Sequence, residues 1–235
     1  MEQDTRNLCT NVLTRRLLTL ACVALFVGTS GCSLFVMAGK AVFGDPKKPA
    51  EFRTVTGTDL TEGDDAVVII CTAPHRLTSQ HPALQIDIVD KVSRNLETRN
   101  VKVVPSGDVA TWFDDHGEWD DYSELAQEFD ARFVVHVDLR EFTHKVPQSE
   151  NLLQGKAEGH ISVHEFHGNQ KKKDSKTTLP VTLAFDRDFR LMFPGTYPVP
   201  RESRSEELFV QGFTDRVAQV IALHFYDTRM SETIH

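Results

Sequence analysis

The stretch RFVVHVDLREF, residues 132–142, decides how the chain is read. Phe133, Val135, Val137 and Leu139 recur at every second position, and His136, Asp138 and Arg140 fill the places between them. A period of two sends successive side chains to opposite faces, so the segment reads as a strand with one apolar and one polar face. The alternation returns downstream. In 152–166, Ala157, Ile161 and Val163 turn inward and Lys156, Glu158, His160, Ser162 and His164 outward. In 178–193, Val181, Leu183, Phe185 and Phe189 turn inward and Asp186, Asp188 and Arg190 outward. Short links between the three segments make them an antiparallel meander with one polar face.

Upstream the pattern changes. AVVIIC, residues 66–71, is apolar throughout, as expected of a strand covered on both faces. Ile86, Val89, Val92 and Leu96 then recur at helical spacing over 84–99, and Val101–Val104 is a second strand stopped by Pro105. Ser106 is expected to cap a short helix carrying Val109, Trp112 and Phe113, and Leu125, Ala126 and Phe129 mark another. Ser203-x-x-Glu206 has the form of a capping box opening a last helix, with Phe209, Phe213, Val217, Val220 and Ile221 on one face. The order is β-α-β-α-α-β-β-β-α. Helical crossovers make the first three strands parallel, so the fold class is α/β: a single mixed-sheet domain over residues 66–228, with 229–235 a tail.

The amino terminus reads differently. Arg6, Arg15 and Arg16 precede an apolar run, Leu17–Val27, and Gly28-Thr-Ser-Gly31 are small. That is the layout of a secretory signal over residues 1–31, and Ser30-Gly31-Cys32 also has the form of a lipoprotein cleavage site, with Cys32 as the lipidated residue. The alternative is an uncleaved helix: Leu17–Gly39 carries no charge before Lys40 and is long enough to cross a bilayer. Either way Arg15 and Arg16 stay inside and the rest of the chain faces the extracytoplasmic side. Ser33 after the cysteine fits sorting to the outer membrane. Residues 32–65, with Pro46, Lys47, Lys48 and Pro49, are expected to form the lipidated cysteine and a solvated tether.

The formal net charge is −8, and removing a leader with two acids and three bases leaves it more negative. That argues against nucleic acid as a partner. Hydrophobic residues make up 40% of the chain, enough for a core. Of four cysteines, Cys9 and Cys22 lie in the leader and Cys32 at the anchor, so Cys71 stands alone. A disulfide scaffold is excluded, and Cys71 is expected to be a buried, inert thiol.

This element order behind a lipoprotein-type signal resembles the small periplasmic α/β domains of the TolB amino-terminal, curli-secretion CsgG and penicillin-binding-protein-activator LpoB group, over residues 66–226. Gly39-Lys-Ala-Val-Phe-Gly-Asp-Pro-Lys and Trp119-Asp-Asp are similar to segments of uncharacterised planctomycete lipoproteins. These resemblances imply a fold and a cell-envelope, membrane-anchored location, in the outer membrane or periplasm, and no reaction. The channel role of the curli group requires long amphipathic hairpins, whereas the 167–177 link is short and lysine-rich.

The residues that carry chemistry are few. His136, His160 and His164 sit outward on neighbouring strands, where a pair could ligate a metal with Asp138, Glu158 or Asp186 as a third donor. That face is read as open to solvent, so no cofactor is expected. Asp114-Asp-His-Gly-Glu-Trp-Asp-Asp121 is rich in oxygens without the regular alternation of a calcium loop. Asp186-Arg-Asp188 echoes a nucleotide-sugar motif, and Lys171–Lys173 with Lys176 could meet anionic headgroups. The chain has no phosphate-cradling loop, GxSxG or CxxC. The expected function is a non-catalytic domain, held at the membrane by its anchor, that binds an envelope protein or supports envelope assembly. The alternative is an envelope hydrolase or metal-dependent enzyme using the polar sheet face.

Overall fold

A computed structural model describes residues 47–117, 121–167 and 181–229. The signal, Cys32, the 39–46 segment, Trp119, the lysine-rich link and the last residues lie outside them. Lys48–Thr228 is one compact unit and is described by itself. No helix among the described residues is long and apolar enough to cross a membrane.

The unit begins with α1 (Glu51–Thr56) and strand β1 (Ala66–Thr72). Helices α2 (His75–Gln80), α3 (Leu84–Glu97), α4 (Ser106–His116) and α5 (Tyr122–Glu128) follow. The meander comprises β2 (Ala131–Lys145), β3 (Leu152–Phe166) and β4 (Val181–Phe193), with a two-residue β5 (Val199–Pro200) before α6 (Glu206–Ala222). β1 pairs parallel with β2, from Val67 opposite Phe133 to Thr72 opposite Asp138. β2–β3 and β3–β4 are antiparallel, and β5 pairs with the start of β3. The expected second strand is reduced to a parallel bridge from Val103 to Val67, on the side of β1 away from β2. The mixed α/β order and the parallel-then-antiparallel pairing are those read from the sequence.

Two apolar layers hold the sheet. On one face Val67, Ile69, Phe133, Val135, Val137, Ile161 and Val163 pack under α3, α6 and Phe52 of α1. On the other, Val68, Ile70, Val134 and Phe166 pack under Val109 and Trp112 of α4 and Leu125 of α5. β1 is thus covered on both sides, as its unbroken apolar run requires.

Several local expectations give way to tertiary forces. Residues 50–60, read as part of a tether, are structural: Phe52 and Leu60 are buried, Phe52 donates its N–H to His224 O at 3.0 Å, and Arg53 pairs with Asp59 and Asp227. One aromatic among polar residues has no period, but its packing edge-on against Phe133 at 5.4 Å anchors the segment. The buried stripe of α3 is Leu84, Ile88, Val92 and Leu96, so Ile86 faces solvent. Ser106 does not cap α4; its hydroxyl donates to Asp90 at 2.5 Å. Ser205, not Ser203, caps α6, by accepting from Leu208 N–H, and Glu206 turns to His144 and Arg201.

Two bulges change which face a side chain takes. In β4, Val163 opposes Phe185 and His164 opposes Leu183, so Ala184 is the extra residue. Leu183, expected inward, therefore shares the polar face with His164 and is exposed, and Val181 packs against the second layer rather than the first. In β2, Leu139 opposes Gly159 and Glu141 opposes Glu158, so Arg140 is extra and both Phe142 and His144 turn into the main core side.

Candidate functional site

The three outward histidines do fall on adjacent strands, with Asp138 opposite His160 and Val134 opposite His164. The face they share is only partly open. Asp121 caps α5 by accepting from Ser123 N–H at 2.8 Å, which sets Tyr122, the first residue of α5, over the strands. The Tyr122 ring stacks on His164 at 3.8 Å, and its hydroxyl lies 2.7 Å from His136 Nδ1. Thr72 Oγ1 lies 2.7 Å from His136 Nε2. Burial lowers the pKa of both His136 and His164 and raises that of the Tyr122 hydroxyl. His136 is therefore neutral near pH 7 and has one N–H and one lone pair, so one hydroxyl neighbour accepts from it and the other donates.

The far half of the face is a charge network. His160 Nδ1 lies 2.9 Å from Asp188, which also accepts from Arg140 at 3.2 Å, and Arg140 pairs with Asp138. The His160 hydrogen bond, then Arg140, holds Asp188 below the ordinary carboxylate range. Glu158 pairs with Lys156 and Arg190. Asp186 is exposed. Among the described residues no three His, Cys, Asp or Glu side chains come together to hold a metal ion. Each histidine on this face is instead engaged by a neighbour of the protein itself.

The second feature is a recess of about 300 Å³ at the carboxyl end of β1. It arises from the topology. From β1 the chain crosses one sheet face through α3 to Val103, then returns across the other face through α4 and α5 to β2. The first connection covers one face of β1 and the second the other, and a crevice opens between α3 and α4. Ile86, Val89, Val109 and Phe113 line it, with Gln85 and Asp114 as polar neighbours. Ile86 is 61% exposed, and Gln85 is fixed by donating to Cys71 O at 3.0 Å. Thr72 lies in the same recess, so the Thr72–His136–Tyr122 chain ends there. Cys71, expected to be buried, keeps partial exposure as a residue, yet burial of its thiol, with Asp138 adding, pushes it up to about 12. A protonated thiol is a poor nucleophile.

Sequence reasoning missed this recess because Ile86 was assigned to the core stripe of α3. The signal was present in Leu84 and Ile88, which satisfy the same helical spacing. The remaining motifs scatter. Asp114 and Asp115 end α4 and Asp121 caps α5, with 118–120 outside the described residues. Asp186 and Asp188 face solvent on β4, and the lysine cluster lies outside the described residues.

The chain is thus a mixed α/β domain with a recess at the carboxyl end of β1, between α3 and α4. No family model and no curated protein matches it. Among solved structures it is similar to the PelC dodecamer from Paraburkholderia phytofirmans at 11% identity, over 77% of this chain and 96% of that one, with a TM-score of 0.40. Lipoprotein GNA1162 from Neisseria meningitidis matches at 9% identity over 67% and 98%, with a TM-score of 0.33. Protein CT253 from Chlamydia trachomatis matches at 13% over 69% and 98%, with a TM-score of 0.37. Likeness at this level carries no argument, and the resemblance to the TolB, CsgG and LpoB group stays one of element order.

Proposed function

We propose that the chain is a membrane-anchored, extracytoplasmic binding domain, lipidated at Cys32, that seats an apolar side chain of an envelope protein in the recess between α3 and α4. The observation that carries the reading is Ile86, a large apolar residue exposed at the mouth of a recess lined by Val89 and Phe113. A volume of about 300 Å³ is at the lower end for small-molecule sites and suits one or two side chains. Asp114 in the lining, with exposed Asp115 beside it, favours a basic residue flanking the apolar anchor of the partner segment. The test is a photoreactive amino acid in place of Ile86 in the anchored chain. A discrete adduct that is lost in Asp114→Lys and absent with the probe at Glu124 is expected. Equal labelling from positions 86 and 124 would contradict the reading. Acyl labelling of the wild type, lost in Cys32→Ala, is expected for the anchor; retention of residues 1–31 without label would favour the uncleaved helix.

One observation favours a second reading. Thr72, His136 and Tyr122 follow each other in the order nucleophile, base and orienting group, at the lip of an apolar recess. An ester hydrolase would be marked by turnover of a short acyl ester that disappears in Thr72→Val and in His136→Gln. Labelling of no residue by an ester-mimicking phosphonate would remove that reading.

A further inference from the structure

A second recess lies away from the first. The end of β2, the residue that follows α2, helix α3 and the first half of α6 line a cleft of about 660 Å³, with His81, Asp87, His144 and Glu206 in its lining. His144 turns toward this side because Arg140 is the extra residue in β2. It is 7% exposed, its Nε2 lies 2.6 Å from Glu206 Oε1, and its buried Nδ1 has no hydrogen-bond partner among the described residues. The His144 hydrogen bond, then Arg201, holds Glu206 below the ordinary carboxylate range, so it is ionised and accepts the Nε2 proton. With Nε2 committed to Glu206, Nδ1 is the ring position left for a ligand. Leaving such a buried polar atom unmet costs about 1–3 kcal/mol.

His81 stands beside it, the two rings 5.6 Å apart at an interplanar angle of 70°. The His81 backbone is held by Leu77 O and Leu84 N–H, and among the described residues its ring makes no hydrogen bond. Two imidazole nitrogens holding one ion at about 2.0–2.1 Å place their ring centres roughly 5–6.5 Å apart, from tetrahedral to linear angles. The observed spacing falls within that interval. A carboxylate accepting the other ring N–H is also the usual support of a metal-binding histidine, because it fixes the tautomer and raises the basicity of the ligating nitrogen.

We propose that His81 and His144 form a two-imidazole site for a divalent transition-metal ion, with Glu206 as the positioning carboxylate and water completing the coordination. No third ligand converges among the described residues, so the protein imposes little geometry. Selectivity then follows intrinsic affinity, Cu²⁺ ahead of Ni²⁺ and Zn²⁺. Nδ1 is closed to solvent, and His81, half-exposed and with its ring held by no hydrogen bond, is the side chain whose rotation admits the ion. The site is independent of the partner recess and of the anchor.

The test uses the full chain without a histidine tag, titrated with each of the three metal ions against a competing chelator. One equivalent, bound in the order stated, is expected. His81→Ala should weaken binding at least tenfold with the fold intact, since this side chain carries no hydrogen bond, and His144→Ala should abolish it. Glu206→Gln should weaken it by about 10–100-fold and shift the ¹⁵N resonances of His144 toward a mixture of tautomers, which a merely structural carboxylate would not do. Zn²⁺ should move the His144 Nδ1 resonance. No stoichiometric ion, unchanged affinity in His81→Ala, or loss confined to the His160→Ala, His164→Ala double variant would overturn the proposal.

Discussion

Two glycines show how little room the main core leaves at single positions. A Cβ at Gly155 would come within 2.5 Å of the Phe213 ring, and one at Gly159 within 2.6 Å of Phe189 and 2.7 Å of Asp138 O. Glycine in β3 is therefore required by close approach, and the aromatic rings fill the space its missing side chain leaves. Gly155→Ala is expected to destabilise the domain by about 1–3 kcal/mol in urea unfolding, and Gly159→Ala to be worse because backbone cannot yield as a ring can. A neutral result at Gly159 would mean that the β2–β3 register is wrong. Cys71 gives a second prediction at this scale. With its thiol pushed up to about 12, it should react with a neutral thiol reagent far more slowly in the folded domain than in urea. Equal rates would contradict its burial.

At the scale of elements, the legible part of the fold was the part governed by period. The ends of β3, the existence of α3, α4, α5 and α6, and the parallel-to-antiparallel change all follow from alternation and helical spacing. What escaped was set by contacts between distant segments. No local signal marks Arg140 or Ala184 as the extra residue of a bulge, and each flips the residues beyond it. For the same reason His144 was passed over, while Leu183 was placed inside. The histidines of the polar face were placed on the right strands, but α5 over them was not foreseen, because Tyr122 reaches His136 and His164 only through the packing of its helix. That cover has a consequence for pH. Burial lowers the pKa of His81, His136 and His164, so the native state stays neutral while the unfolded chain takes up protons below about pH 6.5. The unfolded state then binds more protons, and stability falls as pH drops, by at most about 1.4 kcal/mol per pH unit for each group. Unfolding free energy should decline from pH 7 to 5.5. A flat profile across that interval would show that these rings are solvated.

For the whole molecule, the folded unit extends further toward the amino terminus than hydropathy suggests. Ala50 N–H donates to Asp227 at 3.0 Å and Phe52 N–H to His224 O, so α1 is held by the residues that follow α6. Phe52→Ala should cost about 3–5 kcal/mol, and a chain starting at residue 66 should fail to unfold cooperatively; full cooperativity without residues 47–65 would return that segment to the role of tether. The same closure leaves the recess between α3 and α4 as a preformed feature of the domain. Its central place in the proposed function is open to direct measurement by amide hydrogen exchange of the full chain, alone and in envelope extract. The account predicts slower exchange in extract over residues 84–90 and 106–114, reversed by Asp114→Lys, with β4 unchanged. Slowing confined to β4 and the polar face, with no change in those two segments, would contradict it.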